Sequence, residues 1–202
     1  MIDDSDVRTV SAQCARLLNE SDHESWTSPV PDLDMSVSAV VAHMAQACLW
    51  YSIDLAAGGP DLECIDNQLK TDATPAELIA TLETYAAMLA AVVETADPGA
   101  RGFHPFGSAD PSGFAAMACD EMLVHSYDAH LGLASSFAPD DAIAGSVLAR
   151  LFPWVDAGDQ PWHALLWANG RIELPGAPRL RRWVWHCAPL EEWTGEVPPI
   201  IE

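Results

Sequence analysis

The segment Asp72-Ala-Thr-Pro-Ala-Glu, followed by the apolar run from Ala76 to Ala96, constrains the fold most. Thr74 has the place of a helix N-cap, Pro75 that of the first helical residue, and Glu77 that of the capping-box partner. The run behind them carries only Glu77, Glu83 and Glu94 as charges, and it predicts one long helix ending near Thr95. The same grammar recurs on both sides. Val7, Val10, Cys14, Leu17 and Leu18 recur at helical spacing and predict a helix over about 4–20. The extended segment Trp26-Thr-Ser-Pro-Val-Pro excludes helix. A second helix opens at Asp34 or Ser36, runs to about Ala57 and stops at Gly58-Gly59-Pro60. Residues 97–113, with four glycines and two Pro-containing turns, form a loop. A fourth helix runs from Pro111 to Leu131, and a shorter fifth covers about 139–150.

Beyond Phe152 the composition changes. Residues 153–202 hold six of the eight tryptophans and four of the nine basic residues. Ala164-Leu-Leu-Trp-Ala, Asn169-Gly170 and Arg-Ile-Glu-Leu read as a hairpin with a tight turn, and Trp183-Val-Trp-His-Cys as a third strand. The expected architecture is all-α: an up-down bundle of four main helices over residues 1–152, with a small β-containing appendix over 153–202. A small sheet needs large side chains for its core, which is the expected use of the tail tryptophans.

Charge narrows the function classes. With 9 basic and 30 acidic residues the net charge is −21, so neither nucleic acid nor an anionic membrane surface is an expected partner. No stretch of about 18 uncharged apolar residues occurs, so no membrane span is expected. The acidic start Met-Ile-Asp-Asp-Ser-Asp is unlike a signal peptide, and cytoplasmic location is the expectation. Five widely spaced cysteines without a CxxC argue against a disulfide framework or a cysteine-type zinc site.

Chemistry concentrates in His43, Glu121 and His125. Glu121 and His125 lie four apart and share one helix face, within a stripe that includes Phe114, Met117 and Ala118. Burying ionisable groups is costly unless they are paired or bind a metal. Two histidines and a glutamate are a proven catalytic metal set with an open coordination position. An ordinary Glu–His ion pair has the same spacing, and nothing local brings His43 to the other two. Asp128, one turn beyond His125, is placed to accept the second ring N–H and fix the tautomer. His104, in the loop before the fourth helix, is a weaker candidate for a fourth ligand or acid–base group. His130 lies off the shared face and is expected to be exposed.

Two stretches carry a family resemblance. Trp26-Thr-Ser-Pro-Val-Pro through Val-Val-Ala-His43, and Cys119-Asp-Glu121-Met-Leu-Val-His125-Ser-Tyr-Asp128, resemble the two signatures of the DinB-like, mycothiol-dependent maleylpyruvate isomerase N-terminal family. They stand in the family's order and separation, and the resemblance covers about residues 5–150. Met35 departs from the tryptophan common there, a difference of packing and not of ligation. The resemblance implies a DinB-like four-helix bundle in which His43, Glu121 and His125 bind a divalent metal; imidazole and carboxylate donors suit zinc best, with nickel, iron and manganese open as well. It further implies mycothiol as thiol cosubstrate and a small electrophile as its target, in a transferase or isomerase reaction. Eight arginines against one lysine agree with a GC-rich actinobacterial source, where mycothiol is made.

An anionic substrate needs a local cation in so acidic a protein. Arg171, Arg181 and Arg182 are the clustered candidates for a cofactor- or substrate-binding role, with plain salt bridges to the bundle as their other use. Two rival functions stay open: a metallohydrolase using metal-bound water, and a non-enzymatic metal-binding protein of the same fold. Bundles of this size often pair through a helix face, so a homodimer is open as well.

Overall fold

The computed structural model describes residues 1–197 apart from 60, 63 and 71. Pro60, the proposed helix stop, and residues 198–202 of the appendix therefore lie outside the described residues. Among the described residues six α-helices follow in order: α1 Asp4–Asn19, α2 Val37–Ala57, α3 Pro75–Thr95, α4 Pro111–Gly132, α5 Asp141–Leu151 and α6 Pro161–Ala168. The helix starts are the ones the sequence signals. Thr74 and Glu77 form a reciprocal capping box on α3, Ser36 caps α2 through the Ala39 N–H, and Asp110 caps α4 through the Gly113 N–H. Asp3 and Asp6 make a further box on α1. Gly58 closes α2 with φ +84°, a left-handed conformation that suits glycine.

The architecture is all-α, with up-down helices arranged as a bundle. α3 and α4 each pack against both α1 and α2, so the first two helices face each other across the bundle instead of lying side by side. α3 is long and apolar enough, by length and composition, to cross a membrane. Here its stripe Leu78, Leu82, Ala86, Leu89 and Val93 is buried on α1 and α2, while Glu77, Glu83 and Glu94 face outward. α4 is the central element. Seventeen of its residues, on all sides, are buried, because α1 and α2 cover one flank and α5 and the C-terminal segment cover the other.

The expected hairpin and third strand are corrected. Among the described residues no strand occurs, only isolated bridges such as Leu174 to Ala177. Residues 161–168 are α6 instead. Pro161 starts the helix, and Trp162, Leu165 and Leu166, spaced three and four apart, are buried where α6 packs on α5. A short apolar run fits both helical and strand periods, and length alone does not decide between them. Asn169-Gly170 is a turn, with Gly170 at φ +67° and its missing side chain making room for the Leu180 carbonyl. Trp183-Val-Trp-His-Cys has neither helix nor strand. Its backbone is held by the rest of the protein: the His186 N–H donates to the Leu151 carbonyl, and Arg150 donates to the carbonyls of His186 and Cys187.

Candidate metal centre

α2 and α4 lie against each other, and this contact brings residues 43, 121 and 125 together. The His43 Nε2 stands 3.4 Å from the Glu121 Oε2, and the His125 Nε2 stands 3.1 Å from the same oxygen. The two imidazoles meet edge to face, with centroids 4.9 Å apart and planes at 89°. One donor atom from each of the three residues lies within 4.8 Å of the others. Glu121 and His125 are only 12% and 13% exposed, whereas His43 is 46% exposed, so the cluster opens to solvent on the α2 side.

The hydrogen bonding says what this cluster suits. Asp128 Oδ2 lies 2.9 Å from the His125 Nδ1, which places the ring proton there and leaves the Nε2 lone pair aimed at Glu121. Among the described residues no hydrogen-bond donor is aligned on the buried Glu121 Oε2, although two ring nitrogens are near it. They are close enough to pair electrostatically but are not aligned as N–H donors. Lone pairs converging on an acceptor repel unless a cation lies between them. Tetrahedral ligands at about 2.1 Å from a metal stand ~3.4 Å apart, close to the two separations measured. The donor set of two imidazoles and a carboxylate fits a divalent cation such as zinc.

Without metal, a proton takes that place. Burial pushes His125 down, but Asp128 and Glu121 outweigh it and raise the imidazole to about 9. Burial pushes Glu121 up, and His125 and His43 outweigh it, holding the carboxyl well below its usual range. Asp128 is likewise raised by burial and more strongly lowered by His125 and Arg171.

Four further residues that sequence reasoning missed build the site. The Tyr51 hydroxyl donates to the Glu121 Oε1 at 3.3 Å, fixing the carboxylate so that Oε2 faces the histidines. Tyr51 lies eight residues after His43 on α2, and following that helix face would have found it. Tyr51→Phe is expected to weaken zinc binding about 10-fold, the lower end for loss of an orienting partner. A competition titration against a chromophoric chelator checks this, and unchanged affinity would remove Tyr51 from the site. The other three join the C-terminal segment to α4. Asp120, 1% exposed, accepts from the Asn169 Nδ2 and the Trp185 Nε1, each at 2.9 Å. Burial, with Glu121 adding, pushes Asp120 up to about 7, and those two donors partly offset it. No spacing rule in the sequence pairs Asp120 with residues 49 and 65 positions away.

Of the three arginine candidates, Arg171 reaches the site. It grips Asp128 through Nε and Nη2 at 2.9–3.2 Å and lines a cavity of about 260 Å³ with His43, Glu121, His125 and Trp185. Arg181 and Arg182 line other recesses of the C-terminal segment. His104 lies outside the three-residue cluster. Its ring packs on Tyr51, Phe106 and Trp185, its Nδ1 accepts the Phe106 N–H, and the Cys187 Sγ is 3.5 Å away. His130, expected to be exposed, is 4% exposed: its Nδ1 contacts the Ser126 carbonyl at 2.7 Å and its ring lies on Phe137.

Burial lowers His104 to about 4, against a small opposing pull from Glu121. An unfolded histidine titrates near 6.5, so between those values the unfolded chain binds the extra proton and stability falls with pH. About 2 kcal/mol is therefore lost between pH 7.5 and pH 5 through this residue alone. Urea unfolding of the chelator-treated protein at both pH values checks it. His104→Gln should lose that much less across the same interval, and an equal loss in both proteins would contradict the assignment.

With the site built, family membership follows from residues 7–130. That stretch matches the model of the mycothiol maleylpyruvate isomerase N-terminal domain. The chain belongs to this family. The matched stretch contains all three converging residues together with Tyr51 and Asp128, whereas Asn169, Arg171, Trp183 and Trp185, which complete the cavity, lie outside it. Searches of curated proteins and of solved structures found no match.

Proposed function

We propose that the protein is a metal-dependent thiol S-transferase or isomerase that takes mycothiol as its thiol and acts on a small electrophile. The observation that carries this reading is the convergence of His43, Glu121 and His125 in a family domain, at the wall of a cavity one side of which is solvent-exposed. A bound zinc ion would supply a Lewis-acid position that lowers the pKa of a thiol to the neutral range. His43, Glu121 and His125 would hold it, and three protein ligands leave a position for an external donor.

The chain's own residues do the rest. Asp128 keeps the His125 proton on Nδ1, and Arg171 holds Asp128 in place. Tyr51 orients the carboxylate. Val124, Trp183 and Trp185 line the cavity and keep much of its wall dry, which favours an orientation-dependent reaction. At about 260 Å³ the cavity takes the reacting ends of thiol and electrophile, not a whole sugar conjugate. Arg171 is the cation nearest the cluster and the candidate to face an anionic substrate. A cytoplasmic setting, where low-molecular-weight thiols stay reduced, goes with this reading.

The test is turnover of a model electrophile by zinc-loaded protein with and without mycothiol. The expected result is a rate that needs both, with loss of at least about 100-fold in a His43→Ala/His125→Ala double variant. Ester or amide cleavage without added thiol would replace the proposal with a metallohydrolase. Zinc binding that raises only the melting temperature would replace it with a non-enzymatic role.

A further inference from the structure

The family match ends at residue 130, yet two buried carboxylates of α4 take their partners from beyond it. These are Asp120 and Asp128, which flank the turn from Glu121 to His125. Arg171 donates to Asp128 through Nη2 at 2.9 Å, and its Nε lies 3.2 Å from both carboxylate oxygens. The pair is enclosed, with side chains only 13% and 4% exposed. The Oδ2 that receives the Arg171 Nη2 also faces the His125 Nδ1 at 2.9 Å. One carboxylate oxygen thus joins a member of the metal cluster to the C-terminal segment.

The guanidinium is itself fixed. Its Nη1 donates to the Asn169 carbonyl at 2.8 Å, and the Arg171 N–H donates to the Leu166 carbonyl at 2.8 Å, which ties residues 169–171 to the end of α6. The Asn169 amide in turn donates to Asp120 at 2.9 Å, next to Glu121. A carboxylate that accepts only from an imidazole keeps a broad choice of side-chain torsion. A planar, two-point contact from a guanidinium removes that choice. The partner behind a metal-ligating imidazole sets its ring orientation and basicity, and through them the affinity for the ion. Without Arg171, Asp128 would remain charged and buried with one partner gone, so the contact is costly to lose.

We propose that Arg171 is a positioning residue of the metal centre, acting through Asp128 on His125, so that binding of a divalent cation and docking of the C-terminal segment strengthen each other. This rests on the metal centre and not on the thiol chemistry proposed above. By linkage, the factor that the docked segment adds to cation affinity is the factor that the cation adds to docking.

Zinc affinity of the full-length protein, read by competition with a chromophoric chelator, tests this through a double-variant cycle, with circular dichroism showing each variant folded. Arg171→Gln should weaken zinc binding about tenfold, and Arg171→Lys, which keeps the charge without the two-point contact, about threefold. In an Asp128→Asn background Arg171→Gln should have almost no further effect, because the path runs through that carboxylate. Additive losses would make Arg171 a general structural contact and overturn the proposal. Unchanged affinity in Arg171→Gln, with Asp128→Asn weakened, would overturn it as well and leave the metal centre standing. A wild type that binds no zinc would end the metal centre itself, and this proposal with it. Hydrogen exchange gives the reciprocal measure: zinc should slow exchange of the bonded amides of residues 169–171 about tenfold in the wild type, and far less in Arg171→Gln. Exchange there that ignores zinc in the wild type would refute the coupling.

Discussion

His125→Ala is expected to purify without a divalent cation, whereas the wild-type protein is expected to carry about one equivalent per chain. The imidazole is one of three donors, and its removal leaves the buried Glu121 Oε2 with His43 alone. Losing a partner one step further out, as in Asp128→Asn, costs about 10–100-fold in affinity. Losing a ligand should cost more, so the order of affinities is wild type, then Asp128→Asn, then His125→Ala. Elemental analysis after dialysis and a zinc competition titration read this directly. Melting gives an independent measure. A ligand at about 1,000 times its Kd adds ~4 kcal/mol of stability, so a strong chelator should lower the wild-type midpoint by about 10 °C and leave His125→Ala where it was. Equal metal content in both proteins would end the assignment of the cluster as a metal centre.

Arg150→Leu is expected to destabilise the fold by about 3–5 kcal/mol, lowering the melting midpoint by about 10 °C or more. Arg150 is 4% exposed, at the end of α5. Its guanidinium pairs with Asp110, the cap of α4, and donates to the carbonyls of His186 and Cys187 at 3.0 and 3.2 Å. Gly113 on the first turn of α4 makes the approach possible, since a Cβ there would collide with the Cys187 carbonyl. The substitution leaves a half-buried carboxylate without its cation and two buried carbonyls without a donor, which is worse than never having had the pair. Arg150→Lys keeps the charge but cannot serve three acceptors in the same planar geometry, and it should fall between the two. Urea unfolding with the Asp110→Asn/Arg150→Leu double variant separates the pair from the carbonyl bonds. A single-variant loss below about 1 kcal/mol would show that the junction contributes little.

These two predictions come from different levels of legibility. The helical bundle could be read because its signals are local. Thr74, Pro75 and Glu77 specify a helix start within four residues, and Glu121, His125 and Asp128 share a face because helical geometry places them there. The pairing of two separate motifs pointed to His43 as the third member. The C-terminal apolar run is short enough for either period and suggests a hairpin, but packing of Trp162, Leu165 and Leu166 on α5 makes it a helix. A helix with one buried face would leave His130 outside, whereas neighbours on every side of α4 bury it.

By itself, then, the amino-acid order determined the four long helices, their boundaries and the shared face of Glu121, His125 and Asp128, since each depends on interactions spanning a turn or two of chain, while His43 entered through the family resemblance. Only the tertiary structure decided that His43 meets Glu121, that Tyr51 holds the carboxylate, that Asp120 and Asp128 anchor the tail, and that tryptophans far along the chain wall the cavity. Those contacts join residues tens of positions apart, and burial and packing choose among such partners where local backbone preference does not.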